Sequence, residues 1–190
     1  LKPVIDIKEA LRKKLYVLKG RKIKRGYPSK KINKAKNYLK NSFTLGSQEH
    51  FYLEGQIAFV IPQEDNDFKI FSSTQHPSET QQIVAKMLNQ KNNTISVEVR
   101  RIGGGFGGKE TQSLIFAAIC TLLSKKTKLP VKLRMDRDDD IIITGKRHDF
   151  YSDYEVGFND KGVIEGVKIK LASRCGISPD LSEAINSRAL

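Results

Sequence analysis

Residues 103–108 contain five glycines around Phe106, and they lie between a predicted strand and a predicted helix. Glycine has no Cβ, so such a loop lets main-chain N–H groups and a helix N-terminus approach an anionic group closely. A glycine-rich turn without a ligand is a poor alternative, because each glycine costs about 0.5 to 1 kcal/mol of conformational freedom. The sequence therefore predicts a phosphate-like or oxyanionic ligand at this loop.

Two nucleotide-binding patterns fit the loop in part. Gly103, Gly105 and Gly108 have the dinucleotide spacing, and Asp136 after the next strand would be the ribose-binding acid. The strand before the loop alternates polar and apolar residues, however, whereas a central parallel strand is expected to be apolar throughout. The P-loop pattern fails at Glu110, where a Ser or Thr hydroxyl should hold magnesium. A dinucleotide-binding domain is kept as an alternative function.

The cysteines and histidines do not form a metal-binding pattern. Cys120 and Cys175 lack the spacing of a zinc, iron-sulfur or disulfide framework, and His50, His76 and His148 are far apart in the sequence. We therefore expect two free thiols in a reducing compartment and no metal bound directly by protein side chains.

The net charge of +13 is confined to the first 41 residues. They hold 15 of the 34 basic residues but only Asp6 and Glu9, and the rest of the chain balances 19 basic against 19 acidic residues. This basic lead-in segment has little aromatic interleaving, which a single-strand nucleic-acid binder would need. We interpret it as a solvated or partner-facing segment and expect no nucleic-acid partner, with binding of a polyanion as the alternative.

Periodicity predicts an α+β protein in which helices pack on mixed sheets. The predicted strands cover residues 56–62, 68–73, 94–102, 131–135, 150–158 and 163–172, with hairpins formed by the first two and the last two. The predicted helices cover residues 7–18, 77–89 and 109–125, a short acidic turn or helix covers 137–144, and a further helix starts after 178. The helix of 109–125 is apolar on nearly all sides and should be buried. The apolar stretches are shorter than the roughly 20 residues of a membrane span, so a cytoplasmic location is expected.

Residues 97–110, with the sequence VEVRRIGGGFGGKE, resemble the signature loop of the xanthine dehydrogenase and aldehyde oxidase family. Further segments resemble that family in the same order: HFYLE (50–54), SSTQHP (72–77), DRDDD (136–140), ITGKRH (143–148) and SRAL (187–190). The resemblance implies that residues 42–190 are the N-terminal part of a molybdopterin-binding domain, truncated at its C-terminus. The lead-in segment of residues 1–41 is matched only loosely.

The resemblance also implies roles for individual residues. Members of this family hydroxylate an electron-poor carbon at a molybdenum held by a pterin dithiolene, with water as the oxygen source. By similarity, the Gln75 amide would hydrogen-bond a molybdenum oxygen, and Phe106 and Gly107 would line the metal. No side chain of this chain would ligate molybdenum, and the general base, a glutamate, would lie beyond Leu190. We therefore expect no catalytic residue here and no activity from this fragment alone.

Glu110 and Arg188 are the candidate substrate-binding residues. By similarity, the Glu110 carboxyl would hydrogen-bond a purine, and the Arg188 guanidinium would face the negative charge that develops on the ring oxygen. Aldehyde oxidases have apolar residues at these positions, so the pair favours hypoxanthine and xanthine and a role in purine catabolism. An aldehyde oxidase-type molybdenum hydroxylase remains the alternative. The implied partners are a subunit or domain with FAD and [2Fe-2S] clusters, in a homo-dimer of heterodimers.

Overall fold

The computed structural model describes residues 2–190, which divide into two compact units. The middle unit is Glu49–Arg147, and the terminal unit is the described part of Leu1–Gln48 together with His148–Leu190. The helices are α1 (Ile7–Arg12), α2 (Pro28–Ile32), α3 (Pro77–Leu88), α4 (Ser113–Thr127), α5 (Arg137–Ile143) and α6 (Ser182–Arg188). The strands are β1 (Asn37–Leu45), β2 (Ile57–Pro62), β3 (Phe68–Ser72), β4 (Ile95–Glu98), β5 (Val131–Arg134), β6 (Phe150–Phe158) and β7 (Ile164–Ser173).

The middle unit is built on a mixed sheet with the strand order β4-β3-β2-β5. β2 is antiparallel to β3 and β5, whereas β3 and β4 are parallel and are connected through α3. The predicted hairpin is confirmed, with Val60 opposite Ile70. Helix α3 begins at Pro77, which fits the first turn because a first-turn N–H needs no partner within the helix. It ends at Leu88, and the next residue, Asn89, has the left-handed conformation that commonly stops a helix.

The core of the middle unit lies between this sheet and helices α3 and α4. Alternate residues of β2 and β3 point into it, as period-2 strands with one covered face require. The buried cluster consists of Ala58, Val60, Phe68, Ile70, Val84, Ala85, Leu88, Ile95, Phe116, Ala117 and Cys120. This core supports β3 and β4; Gln75 follows the end of β3, and the glycine loop with Glu110 follows the end of β4.

Helix α4 differs from its prediction in two respects. It begins at Ser113 rather than Lys109, because Lys109 uses its main-chain N–H and C=O in hydrogen bonds to Gln75. It is buried on one side only: α4 contacts β2, β3, β5 and α3, while Ile115 and Leu122 are about half exposed. The prediction of a fully buried helix was therefore wrong.

The terminal unit contains an antiparallel sheet with the order β1-β6-β7. The predicted hairpin of β6 and β7 is confirmed, whereas β1 was not predicted as a strand. Helix α2 packs on this sheet with Ile32 against Gly157 and Gly166, where a Cβ would collide. Helix α1 ends at Arg12, earlier than predicted, and Asp6 caps its start by accepting from the Glu9 N–H.

The predicted α+β class with mixed sheets and packed helices is confirmed. Strand β1 runs across residues 41 and 42, where the domain division was placed, and that division stays a prediction. Over residues 2–190, every helix is too short or too polar to cross a bilayer.

Candidate functional site

The glycine loop of residues 103–108 is docked on the segment that leads into β2. Gly103 accepts from the Leu53 N–H at 3.1 Å, and Gly108 accepts from the Gln56 side chain at 3.0 Å. Gly103 has φ +63, and a Cβ there would lie 2.4 Å from Glu54. The loop thus follows a path that a residue with a side chain could not take at this position.

Gln75, which follows β3, holds the other side of the loop. Its Oε1 accepts from the main-chain N–H groups of Gly107 and Lys109, each at 3.1 Å, and its own main-chain N–H donates to Lys109 O at 2.8 Å. Two N–H donors that converge on one atom identify that atom as the amide oxygen. The Gln75 Nε2 is therefore the end of the amide that is left to donate to a ligand.

Phe106 presents its ring on the outer side of the loop. Its backbone is left-handed, with φ 52, and its side chain is 71% exposed. Both features are unfavourable for a large apolar residue, since the conformation alone costs about 1 to 3 kcal/mol. Gly104 makes room for the ring, because a Cβ at Gly104 would lie 3.0 Å from it. An exposed aromatic held in this way is a candidate contact for a bound group.

Lys109 lies fully buried beneath the loop, which sequence reasoning did not detect. Its Nζ donates to Glu54 O at 2.6 Å and to Ile102 O, and it lies 4.5 Å from the centre of the Tyr52 ring. Burial lowers the pKa of Lys109 to about 8, although Glu54 and Asp140 attract its charge. The lysine of the loop is therefore turned inward and is not presented to a phosphate.

A buried polar cluster continues from Tyr52. The Tyr52 hydroxyl donates to Asp140 at 2.7 Å and accepts from the Gln56 side chain at 2.9 Å. Thr144 also donates to Asp140, at 3.1 Å. Burial and the hydrogen bond to Asp140 raise the pKa of Tyr52 to about 12. This cluster connects the segment beneath the loop to helix α5 and fixes the floor of the site.

Glu110 follows the loop in a bend rather than in the first turn of α4, which begins at Ser113. Its carboxylate is 26% exposed and lies 4.0 Å from His76 Nε2. The other ring nitrogen of His76 is 3.1 Å from Glu79, in the first turn of α3. A shallow depression beside these residues is lined by Gln75, His76, Pro77, Ser78, Glu79 and Gln82. Glu110 is therefore accessible from solvent beside Gln75.

The structure brings Gln75, Phe106, Gly107 and Glu110 together in the middle unit. Arg188 belongs to the terminal unit, where it is exposed at the end of α6. Helix α6 is attached within that unit by a 2.7 Å hydrogen bond between His148 and Ser182. Among residues 2–190, groups of three His, Cys, Asp or Glu side chains suited to a metal ion are absent.

The geometry does not support the dinucleotide-binding alternative. Such a site requires a strand, the glycine loop, a helix and a second strand that lies beside the first in a parallel sheet. Here the strand after α4 is β5, which runs in the same direction as β4 but lies at the opposite edge of the sheet, with β3 and the antiparallel strand β2 between them. Asp136 accepts from the Asp139 N–H at 2.9 Å and caps α5, a role unrelated to a ribose.

The strand, the glycine loop and the turn that carries Gln75 form one hydrogen-bonded arrangement in the middle unit. The family described as "Molybdopterin cofactor-binding domain" matches residues 8–190, and the chain belongs to that family. This confirms the family expected from the loop motif.

The similar proteins include xanthine dehydrogenases and an aldehyde oxidase. The chain is 38% identical over its whole length to "Xanthine dehydrogenase/oxidase" of Gallus gallus, and 38% identical over 98% of its length to "Xanthine dehydrogenase" of Emericella nidulans. It is 37% identical over 97% of its length to "Aldehyde oxidase 2" of Macaca fascicularis. The chain spans 14% of the length of each of these relatives.

Two solved structures share the fold at low sequence identity. The CO dehydrogenase of Oligotropha carboxidovorans matches 76% of this chain and 18% of its own, with a TM-score of 0.69 and 21% identity. The aldehyde oxidoreductase of Desulfovibrio gigas matches 78% of this chain and 16% of its own, with a TM-score of 0.69 and 19% identity.

Proposed function

We propose that this chain is part of a molybdenum hydroxylase that converts hypoxanthine to xanthine and xanthine to urate, with water as the oxygen source. The observation that carries the proposal is the Gln75 amide, whose oxygen is held by two loop N–H groups so that its nitrogen is left to donate. An oxygen ligand of molybdenum is an acceptor that such a donor fits.

The residues present fit a molybdopterin group. Gln75 supplies the amide donor, Gly107 supplies main chain without a Cβ, and the exposed ring of Phe106 supplies an apolar wall. The cofactor would supply the two-electron hydroxylation chemistry, and these residues would orient it and exclude water. We assign no catalytic residue to this chain and expect the general base in a later part of the enzyme.

The purine preference rests on Glu110 and Arg188. The partly exposed carboxylate of Glu110 beside Gln75 supports a hydrogen bond to a purine edge. Within residues 2–190, the exposed guanidinium of Arg188 forms no ion pair of the kind seen for Arg21 and Arg174, so it has charge to offer a developing oxyanion. An aldehyde oxidase-type enzyme is the second candidate, because the chain is also 37% identical to an aldehyde oxidase.

Electron transfer away from molybdenum requires further cofactors. We propose that FAD and [2Fe-2S] clusters lie on a partner chain or domain, in a homo-dimer of heterodimers in the cytoplasm. The 14% share of the relatives' length is in keeping with an enzyme that has additional parts.

Metal analysis tests the class of enzyme. The intact enzyme, purified from cells that make molybdopterin, should contain molybdenum when assayed by inductively coupled plasma mass spectrometry. A folded enzyme without molybdenum would refute the proposed function.

Substitution of Glu110 tests the substrate. Glu110→Gln should lower kcat/KM for xanthine without loss of molybdenum, because an amide replaces an ionisable carboxyl of the same size. Glu79→Gln is the matched control, since Glu79 contacts His76 from the other side. Equal losses in both variants, or loss of molybdenum from Glu110→Gln alone, would contradict the assignment.

Substitution of Arg188 separates purines from aldehydes. Arg188→Met should lower kcat for xanthine by about 100- to 1000-fold, because the apolar side chain cannot stabilise charge on a distant ring oxygen. Turnover of an aromatic aldehyde should fall much less, since its charge develops near the metal. Equal losses on the two substrates at matched molybdenum content would mean that Arg188 supports the fold rather than the purine.

A further inference from the structure

One side chain closes the glycine loop into a ring. Lys109 follows the loop, and its Nζ reaches back to the carbonyl of Ile102, which precedes the loop. The same Nζ donates to Glu54 O at 2.6 Å, so the closed loop is also tied to the segment beneath it. The backbone path of residues 102–109 is therefore held by the hydrogen bonds that the buried Lys109 Nζ donates.

A lysine in this place is unfavourable for stability alone. It is fully buried, and its Nζ donates to main-chain carbonyls, while Glu54 and Asp140 act on it only through space. A buried charge without close ionic compensation loses solvation, and an apolar side chain of similar length often replaces such a group without loss of stability. The lowered pKa of Lys109, about 8, agrees with this loss of solvation. Its presence points to a role in the geometry of the loop.

The main chain of Lys109 links this closure to the candidate site. Its N–H and the N–H of Gly107 converge on Gln75 Oε1, each at 3.1 Å. Its C=O accepts from the Gln75 N–H at 2.8 Å. If the Nζ contacts were lost, residues 102–109 could move away from Gln75, and both bonds that orient the Gln75 amide would weaken.

We propose that Lys109 is a positioning residue for cofactor binding, which closes the glycine loop so that two loop N–H groups hold the Gln75 amide with its nitrogen towards the molybdenum cofactor. This inference rests on the proposed function for the identity of the cofactor. Lys109 itself touches neither substrate nor cofactor in this role.

The experiment compares Lys109→Met with Ile70→Val in the intact enzyme. Met preserves most of the length of the side chain but removes every donor, whereas Ile70→Val weakens the core of the same unit at a site remote from the loop. Hydrogen–deuterium exchange by mass spectrometry, with peptides that cover residues 100–112 and residues 57–72, separates local opening from general destabilisation. Molybdenum content is measured on the same samples.

Lys109→Met should raise exchange in residues 100–112 by about 10-fold, as expected for the loss of two hydrogen bonds, with little change in residues 57–72. Molybdenum content should fall several-fold, whereas Ile70→Val should retain it. The inference is overturned if Lys109→Met leaves the exchange of residues 100–112 unchanged, raises it equally in both regions, or retains full molybdenum content. A wild-type enzyme without molybdenum would instead refute the proposed function, and the loop exchange would still test the closure by Lys109.

Discussion

Gly105→Ala tests whether Gln75 and the glycine loop form one rigid arrangement. A Cβ at Gly105 would lie 2.4 Å from Gln75 Oε1, 2.7 Å from its Cδ and 2.9 Å from its Cγ. Gly105 is outside the positive-φ region, so its backbone accepts alanine and the effect is purely steric. The end of a glutamine is flexible, but this one can move only if it gives up its hydrogen bonds to Gly107 and Lys109.

The size of the effect follows from those two bonds. Each is worth about 0.5 to 1.5 kcal/mol, so moving Gln75 costs roughly 1 to 3 kcal/mol. Replacing glycine by alanine lowers the conformational entropy of the unfolded chain, which stabilises the folded state by about 0.4 to 1 kcal/mol. The free energy of unfolding should therefore fall by up to about 2.6 kcal/mol, with about 1.3 kcal/mol as the middle of the range. Because the displaced amide can no longer donate in its original direction, we also expect the molybdenum content of the intact enzyme to fall.

The assay is urea unfolding of Gly105→Ala beside Gly46→Ala. Gly46 is the matched control, because a Cβ there has no neighbour within 4 Å and its φ is ordinary. Gly46→Ala should leave the stability unchanged or slightly higher. If the two variants had the same free energy of unfolding and the same molybdenum content, Gln75 would not be held as described and the account of the site would fail.

Three further predictions concern the middle unit. Ile70→Ala should lower the free energy of unfolding by about 2 to 5 kcal/mol, whereas Ile142→Ala, at a side chain that is 78% exposed, should change it by less than about 0.5 kcal/mol in urea titrations. Asp136→Ala should cost about 0.5 to 2 kcal/mol because the Asp139 N–H loses its cap, and Asp136→Asn, which keeps an acceptor, should cost little in the same titration. Burial lowers the pKa of Lys109 from 10.5 to about 8. Between these two pH values, the unfolded chain carries a proton on Lys109 that the native state has lost. The free energy of unfolding should therefore rise with pH in this window, by up to about 3 kcal/mol. Unfolding curves of Lys109→Met across the same window should lack that rise.

Elements with strong local signals were predictable from the sequence. Pro77 at the start of α3 and alternation in β2 and β3 act within a few residues, so they identify the elements without knowledge of the fold. Strand β1 lacks such a signal, because Lys40 and Asn41 are poor strand formers. Its strand conformation depends on pairing with β6, which is more than a hundred residues away in the chain.

The residues of the candidate site were predictable from the sequence, but the closing of the glycine loop by the Lys109 side chain was not. The glycine-rich loop and its likeness to a family identified Gln75, Phe106 and Glu110, whose roles stay predictions. The burial of Lys109 was not predictable, because a lysine beside glycines also fits a phosphate-binding loop, with the side chain pointing outward. Only the approach of the Glu54 carbonyl and the Tyr52 ring shows that it points inward.

The unfavourable features of the middle unit support a functional role for the loop independently of sequence similarity. Phe106 combines a left-handed backbone with an exposed ring, and Lys109 places a charge in a buried position. Each feature lowers stability. Phe106 lies in the glycine-rich loop and Lys109 directly follows it, so both features belong to the same short segment. Proteins retain such departures from local rules mainly at sites where function requires the geometry. A loop that only connected β4 to α4 could avoid both features, so their presence argues that residues 103–109 are shaped by a bound group.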